Sequence, residues 1–277
     1  MPNHRSPAAR SRGFSLVEIV IVITLLGIVG AMVAVFMRKP IDAYVDTSRR
    51  AGLADMADTA TRRMARDIRS ALPNSLRSAG SQCIEFIPTK TAGRYRAEAD
   101  SVGSGNILDF TTSDTSFDVF ADFGALPATQ RPVAGDLLVI YNLGNAGSDA
   151  YNLDNVATIT SVTSASPVSS IGFSATKFPL ASGSNRFHVV PQAEKIVSFG
   201  CSGGKLYRFS NYAYSATSSC QTPTVSTPVL ASGVSSCNFV YNGSDLQRNA
   251  LVQLTLVFSD AGETVSLYHE VHASNTP

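Results

Sequence analysis

The first clear pattern in the chain is an apolar stretch at residues 14–37, in which Glu18 is the only charged residue. As a helix, this stretch would be about 36 Å long at 1.5 Å per residue. A hydrocarbon core is about 30 Å thick, so the stretch predicts a membrane-spanning helix. A carboxylate in such a helix is costly, which makes Glu18 a candidate functional residue with a charge partner elsewhere.

The second pattern is a helical periodicity that follows the apolar stretch. Apolar residues recur at spacings of three and four from Ile41 to Leu72, which predicts an amphipathic helix over residues 38–72. Pro40 predicts a kink where the two helical segments join, and Pro73 predicts the end of the second.

The polar face of this second helix carries charges of both signs. Asp58 with Arg62, and Arg63 with Asp67, stand at i,i+4 spacing and predict ion pairs along the helix. We expect this face to be solvated. A nucleic-acid surface and a contact with acidic neighbouring subunits are the alternatives.

The third pattern is a series of short strand-like runs separated by turn residues, which predicts one β-rich head over residues 73–277. Residues 251–258 alternate as a half-buried strand does, with the apolar side chains on one face. Gly203-Gly204 and the segment from Asp260 to Glu263 predict hairpins. The predicted strands are 83–87, 107–110, 117–120, 136–141, 157–162, 186–190, 195–199, 205–209, 238–241, 251–259 and 264–271.

Composition and charge add little to this picture. The net charge is +1, which gives no global reason to expect nucleic acid or an acidic substrate as a partner. Arg5, Arg10 and Arg12 precede the apolar stretch without an acid and indicate a cytoplasmic leader. Arg38 and Lys39 on the far side oppose that bias.

The segment Gly13-Phe14-Ser15-Leu16-Val17-Glu18, between a basic leader and an apolar helix, resembles the signal of type IV pilins and type II secretion pseudopilins. The resemblance implies that a prepilin peptidase cuts after Gly13 and that Phe14 is then N-methylated. It also implies that Glu18 neutralises the amino terminus of a neighbouring subunit during assembly. An ordinary signal anchor with an isolated glutamate is the alternative.

The same resemblance implies the fold and the location. The fold expected is α+β, the pilin fold: a long, bent N-terminal helix packed on an elaborated antiparallel β-rich head. The parts are a cleaved leader (1–13), a transmembrane and assembly helix (14–37), an amphipathic helix (38–72) and a periplasmic head (73–277). We expect a single-pass protein of the bacterial inner membrane, whose partners are the prepilin peptidase, other minor and major pilins and the membrane assembly platform.

Weaker strings narrow the resemblance, among them residues 68–75, 83–88, 206–209 and 271–275. They are similar to the O subunit family of the mannose-sensitive haemagglutinin (MSHA) pilus system, minor pilins related to the J pseudopilin of type II secretion. This implies a minor pilin that helps to initiate or cap a type IV pilus, with the pilus tip as one expected location. The alternatives are a type II minor pseudopilin and a tip adhesin or DNA-binding minor pilin. Val35 stands where many family members have a proline.

The four cysteines lie in the part expected outside the cytoplasm, where an oxidising compartment favours two disulfides. Three pairings are possible. We favour Cys201–Cys220 with Cys83–Cys237, because the first pair closes a short polar loop.

The head offers little that indicates catalysis, so we expect neither an enzyme nor a cofactor. His269 and His272 would lie on opposite faces of a strand, which makes them poor joint metal ligands. Residues 141–155 are rich in oxygen donors, but they fit an ordinary loop better than a calcium site. Four aromatic residues near the cysteines predict packing against a disulfide rather than a ligand contact: Tyr207, Phe209, Tyr212 and Tyr214.

Overall fold

The computed structural model describes residues 13–242 and 249–277. The predicted leader lies almost wholly outside this part of the chain. Two compact units are present, Met1–Ala51 and Gly52–Pro277. The architecture is α+β, as predicted: one long helix and antiparallel sheets.

Helix α1 (Leu16–Arg69) is continuous and contains Pro40. It ends three residues before the predicted Leu72. Ser70 and Ala71 donate their amides to the carbonyls of Asp67 and Ile68, which tightens the last turn. Leu72 then donates to the carbonyl of Ile87 at 2.7 Å, so the chain has already left the helix for contacts with the head. The bend at Pro40 stays a prediction.

Within the described residues of the second unit, fourteen strands form three antiparallel sheets. The strands are β1 (Arg77–Ser78), β2 (Cys83–Phe86), β3 (Thr91–Arg94), β4 (Asp114–Val119), β5 (Leu137–Ile140), β6 (Val156–Thr163), β7 (Ser169–Thr176), β8 (Arg186–Val190), β9 (Val197–Ser202), β10 (Lys205–Ser210), β11 (Val229–Ser232), β12 (Val234–Asn242), β13 (Asn249–Asp260) and β14 (Glu263–Ser274). The sheet orders are β1-β2-β9-β10-β11, β12-β13-β14 and β3-β8-β5-β6-β7-β4.

The first core joins the C-terminal part of α1 to the five-stranded and three-stranded sheets. The helix buries one face that includes Ala57, Met64 and Ile68, while the alternate residues of β13 point at the same core. Both observations confirm the predicted periodicities of this helix and of this strand, since helical and strand spacing each place apolar residues on one face.

The six-stranded sheet is part of an insertion between two neighbouring strands. β2 and β9 pair directly, with Cys83 opposite Gly200, yet residues 87–196 lie between them in sequence. We call these residues the inserted lobe. The lobe has its own core, built around packed phenylalanines such as Phe117, Phe173 and Phe187. A third cluster of buried residues, which includes Leu72, Ile87 and Val190, links the lobe to the rest of the unit.

Both predicted hairpins are confirmed. Gly203-Gly204 joins β9 to β10, and Ala261-Gly262 joins β13 to β14. All four of these residues have positive φ, which a two-residue hairpin turn of type I′ requires.

One predicted strand is wrong, and four of the observed strands are not among those predicted. Residues 107–110 form no strand; Leu108 is instead a buried anchor whose amide donates to the carbonyl of Arg96. The strands β1, β3, β7 and β11 were not predicted. β7 is rich in serine and glycine, so its two buried apolar residues, Ile171 and Phe173, give only a short alternating pattern.

The favoured disulfide pairing is wrong: the bonds join Cys83 to Cys220 and Cys201 to Cys237. Strand geometry gives the reason. Cys83 lies opposite Gly200 and therefore on the opposite sheet face from Cys201, because successive side chains alternate between faces. Cys201 points toward the core shared with β12, where Cys237 lies.

Candidate functional site at the start of the helix

The predicted processing site lies just before the first turn of α1. Gly13, Phe14 and Ser15 are outside the helix, which begins at Leu16. Phe14 is exposed. The peptide bond between Gly13 and Phe14 therefore lies in non-helical chain, one residue before the helix boundary.

Ser15 caps the helix, a role that the sequence analysis missed. Its Oγ accepts a hydrogen bond from the amide of Glu18 at 3.2 Å. Its carbonyl accepts from the amides of Glu18 and Ile19 at 3.1 and 3.2 Å. Serine followed three residues later by glutamate is the sequence pattern of a capping box, so the signal was available.

Glu18 lies in the first turn of α1 and is exposed. A carboxylate here interacts favourably with the partial positive charge of the helix amino terminus. Residues 13–242 and 249–277 contain no side-chain partner for its carboxylate. Phe14 precedes Glu18 by four residues in sequence.

The helix that carries these residues is the only described helix that is long and apolar enough to cross a membrane. Every residue of its apolar stretch is exposed. A run of exposed valine, isoleucine and leucine of this length is typical of a segment whose natural surroundings are lipid.

On the charged face of α1, one predicted ion pair is confirmed and the other is wrong. Arg62 Nε lies 2.8 Å from Asp58 Oδ2. Asp67, expected to pair with Arg63, instead accepts from Arg208 of β10 at 2.8 Å. The arginines at 63, 66 and 69 stay exposed, as the solvated-face hypothesis requires.

Arg208 holds three elements together. Besides Asp67 of α1, it donates to both carboxylate oxygens of Glu194, at 2.8 and 3.1 Å. Glu194 lies where the inserted lobe returns to β9. Because a guanidinium forms strong fork-like contacts with carboxylates, this residue links the helix, the sheet and the lobe.

A second buried network surrounds Glu85 of β2. Arg77 Nε donates to Glu85 Oε1 at 2.5 Å, and the hydroxyl of Tyr212 donates to Glu85 Oε2 at 2.6 Å. The Arg77 guanidinium also binds the carbonyls of Ser215 and Ala216. Burial and the bond to Glu85 raise the pKa of Tyr212 above its usual value. A cleft of about 230 Å³ adjoins this network. The charges of Arg77 and Glu85 are satisfied within the network. Because Arg77 also binds Ser215 and Ala216, the network ties the loop that carries Cys220 to the sheet.

The predicted aromatic cluster is divided. Tyr207 and Phe209 pack together with ring centroids 6.0 Å apart. Tyr214 packs against Tyr151 of the inserted lobe, and Tyr212 binds Glu85. Tyr207, Phe209 and Tyr214 therefore pack against other aromatic rings, whereas Tyr212 makes a hydrogen bond. Packing against a disulfide stays a prediction.

The oxygen-rich loop at 141–155 uses its carboxylates locally. Asp149 accepts from the amide of Tyr151 at 2.9 Å, and Asp154 accepts from the amides of Gly147 and Asp149. These are ordinary turn and cap contacts. The described residues contain no group of three or more histidine, cysteine, aspartate or glutamate side chains placed to hold a metal ion.

Comparison with known proteins assigns the amino-terminal segment alone. Residues 8–34 match the family described as prokaryotic N-terminal methylation motif. No curated protein and no solved structure matches the chain. The match includes Gly13, Phe14, Ser15 and Glu18. The chain therefore carries a type IV pilin-like signal at its amino terminus, which implies processing by a prepilin peptidase and pilin-type assembly.

Proposed function

We propose that this chain is a minor pilin: a filament subunit, cut after Gly13 and methylated at Phe14, that helps to initiate or cap a type IV pilus. Phe14 and Glu18 supply the assembly contact. The head supplies partner selection and faces the periplasm. The role is structural, and no catalytic activity is assigned to it.

The observation that carries this proposal is Glu18, an exposed carboxylate without a described side-chain partner in an apolar helix. A charge at the centre of a membrane helix costs about 3 kcal/mol on the insertion scale, which is an upper bound for Glu18 in the first turn. Cleavage after Gly13 would create a positive amine at Phe14, the complementary charge. In a low dielectric such a pair attracts far more strongly than in water, so bringing subunits together offsets the cost of both charges.

The inserted lobe supports a specialised subunit. A helix with the five-stranded and three-stranded sheets already forms a closed core, and the lobe adds a separate core between β2 and β9. Such an addition changes the surface of the head while it leaves the helix–sheet packing intact. This suits a subunit that selects partners. Of the two kinds of subunit considered, we favour an MSHA-type minor pilin over a type II secretion pseudopilin.

The test is the intact mass and amino-terminal sequence of the membrane-extracted protein, from cells with and without a prepilin peptidase. We expect a chain that starts at N-methylated Phe14 only when the peptidase is present. Gly13→Val should block the cut, whereas Gly27→Val, which lies inside α1 and is equally free of neighbours, should not. A full-length chain in both strains would refute the proposal.

Assembly is tested separately with Glu18→Gln. This variant should be processed normally but should be lost from sheared filament fractions. Asp42→Asn, which removes another exposed carboxylate from α1, is the matched control and should be incorporated normally. Equal incorporation of the two variants would refute the role of Glu18.

A further inference from the structure

We infer that Ser15 positions the peptide bond that the prepilin peptidase cuts, because it caps the helix and so fixes the helix start just after that bond. This inference rests on the proposed function and concerns a residue to which that function assigns no role. Ser15 would act through backbone conformation, without taking part in the reaction.

The first step of the argument is the position of the helix boundary. Gly13 and Phe14 are non-helical, and the amide of Glu18 is shared between the hydroxyl of Ser15, at 3.2 Å, and the carbonyl of Ser15, at 3.1 Å. Serine is among the strongest N-cap residues, because its side chain accepts from an amide that has no partner within the helix. The boundary is therefore set by a side chain that the local sequence provides.

The second step is what a peptidase needs. To hydrolyse a peptide bond, an enzyme must reach the carbonyl carbon and the amide nitrogen of that bond. In a helix both groups are held in hydrogen bonds, and unwinding must come first. A boundary after Phe14 leaves the Gly13–Phe14 bond free of helical hydrogen bonds without that step.

The third step is what happens without the cap. The first-turn amides stand at the edge of an apolar segment, where few water molecules can satisfy them. They can regain acceptors if the helix extends backward, since the carbonyls of residues 12, 13 and 14 would then face the amides of residues 16, 17 and 18. Loss of the cap thus moves the scissile bond into the helix.

The test uses the full-length precursor reconstituted with a prepilin peptidase in lipid vesicles, with the initial rate of cleavage followed by intact mass. Ser15→Ala should be cut about fivefold more slowly, the factor to which a typical N-cap contribution of about 1 kcal/mol corresponds. Ser15→Asn, which keeps a strong cap, should be cut within about twofold of the wild-type rate. Thr24→Ala is the matched control, because Thr24 in the same helix bonds the carbonyls of Val20 and Ile21 and caps nothing.

A second readout separates positioning from direct recognition of the hydroxyl group. In the uncut precursor, the ¹³C chemical shifts of Gly13 and Phe14 should move toward helical values in Ser15→Ala and stay unchanged in Ser15→Asn. Equal cleavage of the alanine variant and the wild type would overturn the inference. So would slow cleavage of both Ser15 variants, or slow cleavage of Ser15→Ala without a change in these shifts. If the wild-type precursor is not cut at all, the proposed function fails instead.

Discussion

Arg208 gives the sharpest test of how the second unit is held together. Its side chain is 14% exposed and binds Asp67, which is 20% exposed, and Glu194, which is 42% exposed. Replacing Arg208 with alanine leaves the Asp67 carboxylate largely buried without its cation. It also releases the end of the inserted lobe from β10.

The expected loss of stability follows from these burials. A hydrogen bond to a charged group contributes about 1.5–3 kcal/mol when it is largely buried, which applies to Asp67. The Glu194 contact is more exposed and adds about 0–1 kcal/mol, since solvent screens it. The sum is about 2–4 kcal/mol. In a unit of this size, 1 kcal/mol lowers the melting temperature by about 2–4 °C, so we expect a fall of about 4–16 °C.

The assay is thermal unfolding of the full-length protein in detergent, followed by the near-ultraviolet circular dichroism of its nine tyrosines, since tryptophan is absent. Arg62→Ala is the matched control, because it removes an arginine that pairs with an aspartate on the solvent side of the same unit. Its melting temperature should be unchanged. The double variant Arg208→Ala/Asp67→Asn should be more stable than Arg208→Ala alone, because it removes the unpaired charge. If the Arg208 and Arg62 variants unfold at the same temperature, the burial argument is wrong.

Two further predictions concern the disulfides and a buried histidine. Peptide mapping without reduction should find Cys83 linked to Cys220 and Cys201 linked to Cys237; a Cys201–Cys220 peptide would contradict the structure. On a chain-entropy estimate, loss of the bond with a separation of 36 residues costs about 4 kcal/mol, which chemical denaturation of a Cys201→Ser/Cys237→Ser variant would measure. Burial, with a smaller contribution from Arg186, lowers the pKa of His188 to about 4. In the unfolded chain this histidine binds its proton near pH 6.5, whereas the folded state keeps it neutral down to about pH 4. The free energy of unfolding should therefore be highest above pH 6.5 and fall by about 3 kcal/mol in all as the pH drops toward 4. His188→Gln should flatten that part of the stability–pH profile, and an unchanged slope would show that His188 does not titrate as its burial implies.

The helix and the processing signal of the amino-terminal segment could be predicted from sequence because their causes are local. The order of Gly13, Phe14 and Glu18 before an apolar run predicted both a helix and a processing signal, and the methylation motif supports that prediction. The hairpins at Gly203-Gly204 and Ala261-Gly262 were equally local, since positive φ at both turn positions favours a few residue types. Ser15 was overlooked even though its capping pattern is local.

What only the tertiary structure decided depends on contacts between distant parts of the chain. The inserted lobe is invisible in sequence, because its boundaries are ordinary strands and only the pairing of β2 with β9 shows that residues 87–196 interrupt a pair of neighbours. The disulfide pairing follows from which sheet face each cysteine occupies, and a short loop between two cysteines cannot report that. Asp67 pairs with Arg208 rather than Arg63 because folding brings β10 beside the helix end, where a largely buried guanidinium outcompetes an exposed one. Sequence thus determined the local helix, turn and signal, while burial and strand pairing determined the partners.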